Sequence, residues 1–380
     1  GVKVIPSRLS ILTKRINNER GVCYYCGQCG RSCGVYADFS ASSCLVFPAQ
    51  RSSQGRLDLY VNSMVREISV DNDGKANGII YINKEDNKEY KINAKVVVLA
   101  ASACESARIL LNSKSKYHEN GIGNSSNMVG KYLHDSTGTN NMAFIPDLMN
   151  RKTYNEDGMG NMHLYTPWWL DNKNLDFPRG YHIEVWGGLG APAYGFGFNY
   201  NSLNKYFGIE IGGYGDRVRE EVKKYYGSTI GFSTRGEAVP NKNNYCEIDP
   251  EKKDKYGIPV LRFNYKWSDY ERKQAKHMNE TVKKIVHNIG GHMLWENKGP
   301  EHGLLTPGEV IHEVGTTRMG NDPNTSVVNE YEQLHDSKNV FIVDGGPFVS
   351  QADKNPTWTI MALSWRTSEY IVDQLKKQNI

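Results

Sequence analysis

The sequence predicts an α/β chain in which an α/β domain is interrupted by an antiparallel-sheet domain. Two segments carry the α/β reading. VVVLAASACESARILLNS (residues 96–113) reads as an apolar, β-branched strand that passes through small residues into a helix. NVFIVDGG (339–346) repeats the buried-strand pattern near the other end of the chain. Between them, from about residue 140 to 310, alternating stretches rich in Tyr, Trp, Gly and Asn replace that pattern. With 380 residues the chain exceeds one simple core, so two intertwined domains are expected.

Taken in order, residues 1–50 are irregular and cysteine-rich, holding five of the seven cysteines. LDLYVNSMVREISVD, the turn NDGKANG and IIYIN predict a hairpin that opens an α/β part over 51–136. Val96, Val97, Val98 and Leu99 predict a strand buried on both faces, and the helix after it gathers Ala107, Leu110 and Leu111 on one side. A strand entering a helix in this way sets backbone N–H groups against a phosphate, which makes Ala100 and Ala101 candidate cofactor contacts. Residues 137–310 form the sheet domain. There YHIEVWGG, FGIEIGGYG and CEIDP alternate as strands, with helices expected on one side. Its strongest helix is SDYERKQAKHMNETVKKIVHNIGG, with Ser268 as a possible cap and Gly290 and Gly291 at its end. Residues 311–380 return to α/β character, and NPTWTIMALSWRTSEYIVDQLKKQ runs as a long helix entered through Pro356.

Composition excludes some functions. A net charge of +4 is too small for this length to indicate a nucleic-acid partner. No apolar run is long enough to cross a membrane. No signal peptide is read, but with a start at GVKVIPSRLS without Met a processed or truncated product is expected, so a missing N-terminal signal means little. The 23 Tyr and 7 Trp suit sugar faces as well as cores, and YTPWW, EVWGG and YGFGFNY are the candidate platforms.

Two residues carry the chemistry. His312, in HEVGTTRMG, sits in what reads as a tight loop; Asn355, in KNPTWT, stands at a helix start. A loop His is commonly structural, and an Asn before Pro is commonly an N-cap. Their separation of 43 positions, with a buried strand between, makes them informative as a pair.

HEVGTTRMG, NVFIVDGGPF, NPTWTIMALSWR and VVVLAASACESARILLNS, with VGKYLHD by its place, resemble the glucose–methanol–choline (GMC) oxidoreductases. The resemblance runs from about Cys23 to the C-terminus and is weakest in the sheet domain. It implies an enzyme that oxidises an alcohol by hydride transfer to FAD, with His312 as general base and Asn355 bonded to the same substrate oxygen. It also implies that Asp344, Gly345 and Gly346 line the flavin, that Pro356 and Thr357 bring a helix N-terminus to it, and that Val65 meets adenine. The wording of several segments is most similar to bacterial glucoside 3-dehydrogenases, which implies a sugar or glycoside substrate. A periplasmic location is expected, with the cytoplasm as the alternative.

One departure stands out. Family members open with a strand, a GxGxxG loop and a helix. Here GGLGAP and GGYGDR lack a preceding parallel strand, so the chain is expected to hold a partial FAD-binding domain, the dinucleotide unit missing or on another chain. Cys23, Cys26, Cys29 and Cys33 follow the C-x2-C-x2-C-x3-C run of bacterial ferredoxins. An iron–sulfur cluster, a zinc loop and disulfides are the competing readings. A cluster would make the enzyme a dehydrogenase serving a small subunit or a cytochrome. Without one, oxygen is the expected acceptor; a non-catalytic remnant is the alternative from another class.

Overall fold

The computed structural model describes residues 2–7, 9–26, 29, 32–151, 162–166, 174–187, 200–208, 210–211, 214–298 and 300–380. They divide into two compact units. One comprises 1–59, 138–235 and 272–305; the other comprises 60–137, 236–271 and 306–380.

The first unit is built on a six-stranded sheet of order β1-β7-β8-β9-β6-β12. Its strands are β1 (Ile5–Pro6), β6 (Thr137–Phe144), β7 (Met162–Thr166), β8 (Tyr181–Gly187), β9 (Thr229–Gly236) and β12 (His292–Glu296). β1–β7, β7–β8 and β6–β12 pair antiparallel, as the alternation predicts. Successive residues of a strand point to opposite faces, and this corrects one expectation. Ala143 packs with Met278, Val282 and Val286 of the helix Asp269–Asn288, while its neighbour Phe144 packs with Leu203, Ile211 and Tyr225. Helices therefore cover both faces of the sheet, not one. The second layer comes from Tyr200–Phe207 and Asp216–Tyr225.

FGIEIGGYG, read as a strand, contributes none among its described residues: it connects those two helices, and Gly208 at φ 65° closes the first. Of the aromatic stretches, YTPWW beyond Thr166 and YGFGFNY before Tyr200 lie outside the described residues. In the first 59 residues the Arg20 guanidinium organises the backbone by donating to the carbonyls of Tyr36, Ala37 and Asp38 at 2.9–3.1 Å.

The second unit contains the three-stranded meander β2 (Ser63–Val70), β3 (Ala76–Asn83) and β4 (Glu89–Asn93). It also holds the parallel pair β5 (Val97–Leu99) and β13 (Val340–Ile342). The helix Ala103–Asn112 follows β5 at once and buries Ala107 and Leu110 completely, in one core with Ile68, Val97, Leu99, Val340 and Ile342. Val97 and Leu99 are buried, but Val98 is 46% exposed. The expectation of a strand buried on both faces is thus corrected. The core with Ala107 and Leu110 lies on the Val97 and Leu99 side; on the other face Phe341, the partner of Val98, is buried against Tyr370 of the C-terminal helix while Val98 stays open.

The hairpin β10 (Tyr245–Lys253) and β11 (Pro259–Asn264) also belongs to this unit, although the sequence placed CEIDP with the sheet domain. Arg108 holds it there: its guanidinium pairs with Asp254 at 2.7 Å and donates to the carbonyls of Ile258 and Pro259. The unit ends in the helix Thr357–Lys376. Among the described residues no helix is long and apolar enough to cross a membrane.

Candidate functional site

The site lies wholly in the second unit and begins with a backbone strip. Residues 314–319 are laced on one side to 130–134 and on the other to 345–347. His134 and Val314 exchange N–H···O bonds at 3.0 and 2.9 Å, and Gly130 N–H donates to Thr316 O at 2.7 Å. On the other side, Gly315 N–H donates to Gly345 O at 3.1 Å, Thr317 N–H to Gly346 O at 3.0 Å and Met319 N–H to Pro347 O at 2.8 Å.

Such close lacing needs glycine at two points. Gly315 has φ 98°, and a Cβ there would lie 2.3 Å from Tyr132 O. A Cβ on Gly346 would lie 2.3 Å from Thr317 Oγ1.

His312 stands at the head of this strip and is half-buried. Its Nε2 lies 2.9 Å from Asn355 Nδ2, and its Nδ1 lies 3.2 Å from Ser136 Oγ. The structure therefore brings together the two residues paired in the sequence. It also decides against the capping role for Asn355. The helix Thr357–Lys376 has Pro356 at its N-cap and no side-chain cap, so its first N–H groups remain available and Asn355 is turned to His312 instead.

Beneath His312 lies Asp135, which sequence reasoning did not select. Its Oδ1 accepts from His312 N–H at 3.0 Å and Ser136 N–H at 2.7 Å, and its Oδ2 accepts from Gly308 N–H at 3.2 Å. Burial pushes its carboxyl up to about 6, against the three donors that favour the carboxylate; Glu313 adds to the rise. Asp135 also lines a cavity of about 400 Å³ with Glu105, Glu313, Cys104, Phe263 and Tyr265. The only sequence signal for Asp135 was its place at the end of VGKYLHD.

The remaining expected residues are distributed as follows. Asp344, Gly345 and Gly346 follow β13 and are buried. The Asp344 carboxylate accepts from Ser106 Oγ at 2.5 Å and Gly346 N–H at 2.8 Å, and burial raises its pKa. Ala100 and Ala101 are exposed at the end of β5. The Ala101 N–H is bonded to Ser106 Oγ at 3.2 Å, and the amides of Ala101 and Ser102 also serve Asp344, so this turn directs those donors inward. Ser102 itself sits at φ 81°, ψ 159°, a conformation costly for any residue but glycine. Pro356 and Thr357 stand at the open helix start. Val65 lies on β2, an edge strand, with its side chain packed on the core of the unit.

Cys23, Cys26, Cys29 and Cys33 belong to the first unit and are free thiols. Tyr25 N–H and Ala37 N–H approach the sulfurs of Cys23 and Cys33 at 3.4 and 3.3 Å. Backbone donors around Cys33 lower its pKa despite some burial, whereas burial and the neighbouring thiols raise that of Cys29. Among the described residues no group of three or more His, Cys, Asp or Glu side chains is gathered to hold a metal ion.

Two sequence profiles described as GMC oxidoreductase match the chain, one over residues 7–137 and the other over 240–364. The chain is 30% identical to a 2-methyl-1,2-propanediol dehydrogenase of Mycolicibacterium austroafricanum, over 83% of this chain and 54% of that protein. It is 26% identical to a gluconate 2-dehydrogenase flavoprotein of Pantoea cypripedii, over 96% of this chain and 58% of that protein. It thus spans little more than half the length of these relatives. In fold it is similar to pyridoxine 4-oxidase from Mesorbium loti, with a TM-score of 0.59 and 15% identity, covering 88% of this chain and 62% of the other.

Proposed function

The chain belongs to the GMC oxidoreductase family, and from that premise we propose that it carries the reacting half of an FAD-dependent enzyme that oxidises a sugar or glycoside hydroxyl to a carbonyl. The observation that carries this reading is the 2.9 Å pairing of His312 Nε2 with Asn355 Nδ2 at the uncapped start of a 20-residue helix.

The residues fit a flavin. Gly345 and Gly346 follow the parallel strand β13, and the exposed Ala100 and Ala101 follow its partner β5. Ligands of open α/β sheets take such positions, outside the carboxyl ends of the strands. The open N–H groups that follow Pro356, beginning with that of Thr357, suit an electron-rich ring edge. The buried Thr317 Oγ1 has no hydrogen-bond partner among the described residues. Bound FAD would supply the acceptor for the two electrons that leave carbon as hydride.

This chain's own residues manage the oxygen. A hydroxyl carbon releases hydride readily only as its O–H proton departs, so a base must stand at that oxygen. His312 Nε2 takes the proton. Asn355 Nδ2, a donor that does not titrate near neutral pH, bonds the oxygen as negative charge grows on it. Asp135 holds the His312 backbone against displacement.

Sugar and glycoside ring hydroxyls, as in glucoside 3-dehydrogenases, are the proposed substrate class. The names of the alcohol and gluconate dehydrogenases support the reaction class. A periplasmic location and a small subunit or cytochrome as acceptor belong to the same proposal. The iron–sulfur centre rests on cysteine spacing alone. Among the described residues no group of three or more His, Cys, Asp or Glu side chains is gathered to hold a metal ion.

The test is His312→Ala in the full-length protein. Turnover with sugars is expected to fall by several orders of magnitude with flavin still bound. Near-normal turnover would refute the assignment.

A further inference from the structure

We propose that Ser136, braced by Gln351, is a positioning residue that sets the ring tautomer of His312 and keeps Nε2 as its basic nitrogen. The inference rests on His312 being the base of the proposed reaction.

Donors and acceptors around the ring fix its tautomer. In the orientation of the Asn355 amide, Nδ2 faces His312 Nε2 at 2.9 Å. An amide nitrogen only donates, so Nε2 presents its lone pair. A neutral imidazole with a bare Nε2 carries its proton on Nδ1. Nδ1 is 3.2 Å from Ser136 Oγ, so the Nδ1–H donates to that hydroxyl oxygen. Gln351 Nε2 donates to the same oxygen at 2.9 Å. Both lone pairs of Oγ are then occupied, and it is held as an acceptor toward His312.

The bracing is rigid because it is buried. Ser136 is 1% exposed and Gln351 3%, so neither turns to water. Asp135 Oδ1 accepts from both Ser136 N–H and His312 N–H, which locks the two backbones side by side. Ser136 Oγ therefore meets Nδ1 by construction.

The chemical consequence follows. When Nε2 takes a proton from the substrate hydroxyl, the ring becomes imidazolium, and its Nδ1–H keeps the same partner with no heavy atom moving. A hydroxyl partner does this without a second charge, unlike the carboxylate that serves many catalytic histidines. The ring is oriented and its tautomer chosen by a neutral hydroxyl.

The test uses the natural full-length protein labelled with ¹⁵N-histidine, with the His312 signals assigned by difference from His312→Gln. Wild type is expected to show a protonated, pyrrole-type Nδ1 and a pyridine-type Nε2. In Ser136→Ala both signals are expected to move toward a tautomer mixture, while kcat falls about tenfold to a hundredfold with KM little changed. Ser136→Thr, which keeps the hydroxyl, is expected to restore the signals and most of kcat. If Ser136→Ala does not fold, Gln351→Leu is expected to shift the same signals in the same direction.

A wild-type ring protonated at Nε2 would overturn the proposal. So would unchanged nitrogen signals in the variant that folds, even with a lower kcat, because loss of structure alone predicts that result. The two readings fail separately: normal turnover in His312→Gln sinks the catalytic assignment, whereas the tautomer is read without turnover.

Discussion

Asn355 Nδ2 lies 2.9 Å from His312 Nε2, although the two residues are 43 positions apart. The contact needs three things at once. The strip 314–319 must be laced to 345–347, β13 must lie between the two residues in sequence, and the helix start must leave Asn355 free of a capping duty. Replacing Asn355 by Ala removes a donor that strengthens as negative charge develops on the substrate oxygen. The expected loss is about 10²–10³-fold in kcat. Steady-state kinetics in the full-length protein measures it, with Asn355→Asp as the companion because it keeps the shape but loses the donor.

Asp135 gives a pH-dependent stability. Its folded pKa, about 6, is above the ordinary carboxylate value because of burial. A raised carboxylate pKa contributes stability that is fully present below the unfolded value and is lost as pH rises through about 6. Asp135→Asn removes that titration. Between pH 4 and 7 the variant is therefore expected to lose up to about 3 kcal/mol less stability than wild type, read from urea midpoints at each pH. The comparison is one of slopes, because Asn also rearranges the donors at Gly308.

Glu332 repeats the logic deeper in the same unit. It is fully buried, one oxygen accepts from Thr367 Oγ1 at 2.8 Å, and Oε1 has no partner among the described residues. Burial raises its pKa to about 7. Its stabilising contribution is present at acid pH and lost above about 7, when the charge must form in the core. Glu332→Gln is expected to be more stable than wild type at pH 8 by about 2–3 kcal/mol, with the advantage vanishing below pH 5. Thermal unfolding across that range checks the sign.

Gly346 is, with Gly315, one of the two tight points at which the strip is laced. A methyl group there would stand 2.3 Å from Thr317 Oγ1. Gly346→Ala is expected to cost about 1–3 kcal/mol and to displace the 314–319 strip that carries His312. A lower Tm with turnover reduced beyond the loss of folded protein is the expected result. A Gly34→Ala control, where a Cβ meets nothing within 4 Å and the backbone is not left-handed, makes the same substitution without the clash.

The sequence exposed the parts of this site that are local. The His312 loop, the Asp344-Gly345-Gly346 turn and the Asn355 helix start are each short and distinctive, and their order survives into the structure. What it hid is long-range or two-sided. Ser136 meets His312 across 176 positions and Gln351 across 215, and neither residue type draws notice alone. Val98 reads like Val97, yet a strand's apolar run does not say whether both faces are covered. The second helix layer on the six-stranded sheet was hidden in a stretch whose Tyr, Gly and Asn content reads as strand and turn, until Phe144 found Leu203 and Tyr225. The cysteine run gave the opposite lesson. Its spacing is distinctive, but among the described residues no group of three or more metal-ligating side chains is gathered to hold a metal ion.

The central claim is that His312 takes the substrate proton while hydride leaves for flavin. Anaerobic mixing of the full-length protein with an oxidisable sugar, followed by flavin absorbance, tests it most directly. Rapid bleaching in wild type, and bleaching slowed by several orders of magnitude in His312→Ala with flavin content unchanged, is the expected result. Equal bleaching rates in the two proteins would contradict it.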